Sequence, residues 1–128
     1  MRSLAILTLA AAALLAGCHT AANPAPQPQD ALMTRLGALC DKAFAGRVVA
    51  SEPAGADADM AGKALVMHVR SCTTDRIGIP FHVGDDRSRT WVITRTGTGI
   101  AGGLRLKHDH RHEDGTHDAV TMYGGDTT

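Results

Sequence analysis

Arg76–Thr96 reads RIGIPFHVGDDRSRTWVITRT, and its period decides the fold. Ile77, Ile79, Phe81 and Val83 alternate with Gly78, Pro80 and His82, the two-residue period of a half-buried strand. Gly84–Ser88 is a turn, and Thr90–Thr96 resumes with β-branched residues. Pro80 lacks an amide donor, which places its strand at an edge or a bulge. Working outward, Ala64–Ser71 sets Leu65, Met67 and Val69 against His68 and Arg70. Gly46–Ser51 is short and apolar. Leu104–His112 and Thr116–Tyr123 form a last pair that turns at Asp114-Gly115, and Gly124–Thr128 offers no closing strand. Glu52–Gly62 and Thr98–Gly103 read as connections. The expectation is a mainly β domain, an antiparallel meander of about six strands. An up-and-down barrel usually needs about eight, so the sheet is open or an incomplete barrel.

One helix precedes the strands. Over Asp30–Phe44, the residues Leu32, Leu36, Leu39, Cys40 and Ala43 recur at spacings of three and four, with Asp30 as N-cap and Gly46 as the stop. Before it, Thr20–Gln29 (TAANPAPQPQ) holds three prolines in ten residues and reads as an extended tether. The whole chain has 128 residues, 13 basic and 13 acidic side chains and four aromatic ones, Phe44, Phe81, Trp91 and Tyr123. That is one small domain, with no charge excess or stacking platform that points to nucleic acid.

The N-terminus is an address. Arg2 precedes an apolar run from Leu4 to Leu15 that is too short to cross a bilayer. Leu15-Ala16-Gly17-Cys18 resembles the lipobox of bacterial lipoproteins. The resemblance implies that residues 1–17 are a removed signal peptide, and that Cys18 carries acyl chains, palmitate among them, holding the protein to a membrane. Residues 18–29 are then the lipidated cysteine and its tether, and 30–128 the domain. His19, where aspartate signals retention in the inner membrane, directs it to the outer membrane, facing the periplasm. In that oxidising compartment the two remaining cysteines, Cys40 and Cys72, most simply form one disulfide. A redox pair or a metal site is the competing reading, and neither finds a C-x-x-C spacing.

Lys107–Asp118 (KHDHRHEDGTHD) contains four of the seven histidines. On a strand His108, His110 and His112 share a face with Leu104 and Leu106. A two-residue Asp114-Gly115 turn would set His112 opposite His117. A three-residue Glu113-Asp114-Gly115 loop sets Leu106 opposite Met122, His108 opposite Val120 and His110 opposite Asp118, and is preferred because it matches apolar with apolar. Two imidazoles of a His-x-His pair lie about 6.8 Å apart at Cα and can converge on one ion. Asp118 or Asp109 would be the third ligand or orient a ring. Zn(II), Cu(II) or Ni(II) would suit a site of His108, His110, His112 and Asp118. The plainer reading is a solvated hairpin that keeps an edge soluble, with no cofactor.

Signals for catalysis are thin. The sequence has no G-x-S-x-G elbow, H-E-x-x-H pair or P-loop, and Ser71 and Ser88 have no evident base partner. His68 and His82 read as satisfied or exposed, and Trp91 as a core anchor. The stretches LVMHVRSC (Leu65–Cys72), IPFHVGDDRSRTWVITRT (Ile79–Thr96) and LRLKHDHRHEDG (Leu104–Gly115) resemble a family of small bacterial secreted lipoproteins with no assigned chemistry. Against that family this chain looks truncated, which implies architecture and not activity. The function expected is a lipid-anchored envelope protein that binds a small apolar ligand or an envelope protein on the face of Ile77, Ile79, Phe81, Val83, Leu104 and Leu106. The alternative is a lipoprotein that binds a divalent metal through the histidine hairpin.

Overall fold

The computed structural model describes residues 25–98 and 101–127. The signal segment, Cys18 and the tether as far as residue 24 lie outside them. Helix α1 (Pro28–Gly37) leads into strands β1 (Lys42–Gly46), β2 (Leu65–Val69), β3 (Ser71–Cys72), β4 (Arg76–Val83), β5 (Asp86–Arg95), β6 (Leu104–His110) and β7 (Tyr123–Asp126). All pairings are antiparallel, in the order β1-β2-β4-β5-β6-β7, with β3 beside β4. The sheet is not closed into a barrel: β1 and β7 are its edges.

The helix is shorter and earlier than the apolar stripe suggests. Its N-cap is Gln27, and Pro28 occupies the first turn, where a missing amide costs nothing. Pro28 and Gln29 therefore belong to the domain, and Gln29 Nε2 donates to the Gly102 carbonyl at 3.1 Å. Asp30 is no cap; its carboxylate meets Arg95 Nη1 at 2.5 Å and so ties the helix to β5. The helix ends at Gly37, and Asp41 reverses the chain at φ 64°, so that Lys42–Gly46 runs as a strand. Phe44, expected at the helix end, thus sits on edge strand β1.

The remaining face of α1 rests on one end of the sheet. Met33, Val69, Ile77, Ile79 and Leu104 form the buried core, with Leu36, Leu39, Met67, Cys72 and Ile93 packed around it. Cys40, just past the helix, is disulfide-bonded to Cys72 on β3 with Cα atoms 6.3 Å apart. Pro80 lies inside the sheet, opposite Thr90, and the register slips between Phe81 and Val83, so the bulge expected of a strand proline is present in β4.

Thr116–Tyr123 departs from the expected strand. Near the turn the three-residue loop is right: Gly115 has φ 85°, the His112 amide donates to the Thr116 carbonyl at 2.9 Å, and Arg111 bridges His117. Beyond it the chain bulges. The Asp118 amide donates to the His110 carbonyl, yet Tyr123 already faces His108 and Gly125 faces Leu106. Val120 and Met122 are therefore exposed at 66% and 42% instead of matching His108 and Leu106. The pairing resumes in Tyr123–Asp126, which supplies an edge strand where none was expected. Gly124 makes it possible: it has φ 147°, and a Cβ there would stand 2.0 Å from the Leu106 carbonyl oxygen.

Candidate functional site

The register sets a row of large side chains across the face that α1 covers only at one end. Phe44 pairs with Met67, Met67 with Phe81, Trp91 with His108, and His108 with Tyr123. Phe81 and Trp91 stack with ring centroids 5.2 Å apart, and His108 meets Tyr123 edge-on at 4.8 Å. The face expected to take a ligand is thereby divided. Ile77, Ile79, Val83 and Leu104 are 1–5% exposed and belong to the core. Leu106 stays 48% exposed, beside Phe44, Trp91 and Tyr123 at 38%, 37% and 52%. Trp91 is thus no buried anchor but one side of an open aromatic surface. Two apolar hollows border it: one between Phe44, Met67 and Phe81, the other between Leu32, Ile93, Leu104 and Leu106.

The histidines divide as well. His108 turns to Tyr123, its Nδ1 hydrogen-bonded to the phenol, while Nε2 is buried without a hydrogen-bond partner among the described residues. Its ring stacks on His110 at 5.7 Å. His110 Nε2 meets Ser88 Oγ at 2.7 Å. The Nδ1 atoms of His110 and His112 each lie 4.0 Å from the same oxygen, Asp118 Oδ2. Asp109 is held by Arg111 instead. Among the described residues, no group of three or more His, Cys, Asp or Glu side chains is arranged to hold a metal ion. The four residues expected to ligate do not converge: His108 is spent on Tyr123, and only His110, His112 and Asp118 are neighbours.

Ser88 has the base partner that the sequence did not reveal. The hydrogen bond links the start of β5 to the end of β6, across 22 residues, and only the register brings the two together. Close by, the Asp86 carboxyl is raised by burial but drawn down further by hydrogen bonds from Ser88 and by Arg89, to about 2. Arg89 pairs with Asp86 and also lies 3.7 Å from Asp59 of the long loop.

Burial lowers the pKa of His108, as do the charges of His110 and Arg89, against a smaller opposing effect of Asp109. An unfolded histidine titrates near 6.5. The folded protein binds this proton less readily, so the contribution of His108 to stability is full above about 6.5 and is lost as pH falls towards its lower folded value. The urea midpoint should drop between pH 7.5 and 5.5, and His108→Gln should shrink that drop. His82, also lowered, by burial, Arg87, Arg70 and His68, keeps part of the slope. An unchanged slope in His108→Gln would contradict the assignment.

The arrangement is an open antiparallel sheet, stapled to a short helix at one end and bare along an aromatic row. The chain matches no family model, no curated protein and no solved structure.

Proposed function

We propose that this protein is a lipid-anchored component of a bacterial cell envelope, tethered through Cys18 at the outer membrane and facing the periplasm, whose β domain binds a small apolar ligand or an envelope protein on its aromatic row. One observation carries the binding reading. Phe44, Trp91, Leu106 and Tyr123 lie on one face of the sheet and remain 37–52% exposed, although a helix is available and covers the adjoining residues. An apolar patch kept open on so small a domain is more costly than a covered one unless something occupies it. Among the described residues no helix is long and apolar enough to cross a membrane.

A fatty-acid probe should label the wild-type protein and fail to label Cys18→Ser. Label retained in that variant would refute the anchor. For the face, an anilinonaphthalene sulfonate probe should bind the wild type, and Leu106→Glu should weaken binding about 10-fold, the effect of placing a charge among apolar contacts. Because Leu106 is half exposed, the same change should leave folding nearly intact. Equal binding by both proteins would place the ligand elsewhere.

A second reading, a divalent cation held at the hairpin, is favoured by the two imidazole nitrogens that flank one Asp118 oxygen. It calls for His112→Ala to weaken Zn(II) binding and for His108→Ala to leave it unchanged. A flat zinc titration would remove it.

A further inference from the structure

Ser88, His110 and Asp118 meet where β5 begins and β6 ends. Ser88 Oγ is 2.7 Å from His110 Nε2, and the opposite ring nitrogen, Nδ1, is 4.0 Å from Asp118 Oδ2. A hydroxyl on one ring nitrogen and a carboxylate on the other is the order required of a nucleophile, its general base and the group that orients the base. The second distance is longer than a hydrogen bond, as such contacts often are before substrate closes them.

The backbone fixes all three. The Ser88 amide donates to Asp86 Oδ1 at 2.8 Å, and its carbonyl accepts from the Arg111 amide at 2.9 Å. The His110 amide donates to Thr121 Oγ1 at 2.8 Å, while its carbonyl accepts from the Asp118 amide at 3.0 Å. Asp118 Oδ1 accepts from the Val120 amide, which leaves Oδ2 to the rings. Ser88 also lines a hollow of about 550 Å³ bounded by Asp85, Asp86, Arg87, Arg111, His112 and Glu113. That volume suits a small molecule, and the charged wall suits a polar one.

We propose that Ser88 is a nucleophile activated by His110, with Asp118 as a positioning residue, and that this end of the sheet hydrolyses small polar carboxylic esters. The Ser88 hydroxyl, which the Asp86 carboxylate also draws, turns to His110 Nε2 and passes its proton there as Ser88 Oγ bonds to the ester carbonyl carbon. The bond from that carbon to the alcohol oxygen breaks, and the alcohol leaves with the proton. Water then adds to the acyl carbon and gives a proton to His110, which returns it to Ser88 as the acid departs.

The full chain in detergent is treated with a fluorophosphonate probe and, separately, with p-nitrophenyl acetate. The probe should form an adduct on Ser88 of the wild type, in the presence or absence of EDTA. Ser88→Ala should lose the adduct and the ester hydrolysis together. His110→Gln should slow both by about 100-fold or more, the usual worth of a general base. Asp118→Asn should lower kcat about 10-fold with KM unchanged, and Asp118→Glu should restore part of it. No adduct at Ser88, ester hydrolysis by Ser88→Ala at the wild-type rate, or labelling that EDTA abolishes would each overturn the proposal. The adduct is read on the wild type, so a variant that misfolds does not blur the result.

Discussion

Replacing Cys40 and Cys72 together by serine should cost about 3–4 kcal/mol, the entropy of closing a loop of about 33 residues in the unfolded chain. For a domain of this size the melting temperature should fall by about 15–25 °C. Small domains have only about 5–15 kcal/mol of stability in all, and this one has few fully buried side chains, Ile77 and Val69 being the largest. The bridge does more than shorten the unfolded chain. It joins the segment after α1 to β3, and so holds Met33 and Leu36 against the sheet. In the serine variant the helix should loosen first, and binding of an apolar dye should rise before the sheet melts. The check is thermal unfolding followed both by circular dichroism and by dye emission, with and without reductant on the wild type. Coincident melting of the reduced and oxidised proteins would show that the bridge contributes nothing.

Ile77→Ala should be the most damaging single truncation. Ile77 is 1% exposed, lies opposite Ile93 and sits in the cluster that receives the helix. Removing a buried isoleucine to Cβ costs about 2–5 kcal/mol, and the lower part of that range applies only where the site can collapse. Here the strands on both sides and the helix above restrict collapse, so a loss of about 3–4 kcal/mol is expected. Leu106→Ala, on the same face but 48% exposed, should cost less than about 1 kcal/mol. Urea denaturation of the two variants checks this division of the face. Similar losses would mean that the aromatic row is as buried as the core and is not available to a ligand.

The same division shows where sequence reading carries and where it stops. The alternation over Ile77–Val83 and Leu104–His110 marks strands β4 and β6, although burial does not follow it: Gly78 and Pro80 are buried with Ile77 and Ile79, and Leu106 is exposed with Arg105. The pairing of Cys40 with Cys72 was legible once the lipobox resemblance set Cys18 aside and implied an oxidising compartment. The helix end was not: Leu39, Cys40 and Ala43 continue a helical spacing, but Gly37 and the left-handed turn at Asp41 end it first. Strand β7 was illegible for a different reason. Tyr123-Gly124-Gly125-Asp126 has no alternation to read; it pairs because Gly124 tolerates close approach to Leu106, and because Asp126 receives two hydrogen bonds from Arg105. Ser88 shows no base partner in the sequence, since that partner depends on the β5–β6 register, which spacing in one strand does not reveal. His108 and His110 share a face and stack as their parity requires, but parity says nothing of Tyr123, which takes the Nδ1 of His108.

We propose that the aromatic row left bare by the helix is a binding surface. Trp91 is the single tryptophan of the chain and lies in that row, 37% exposed and stacked on Phe81. Its emission therefore reports on that surface and on nothing else in the protein. Titration with a medium-chain fatty acid, below its micellar concentration, should shift Trp91 emission to shorter wavelength and protect it from acrylamide, saturably, with both effects reduced in Leu106→Glu. Emission that neither shifts nor gains protection, for the fatty acid and for a solubilised envelope extract alike, would contradict the claim.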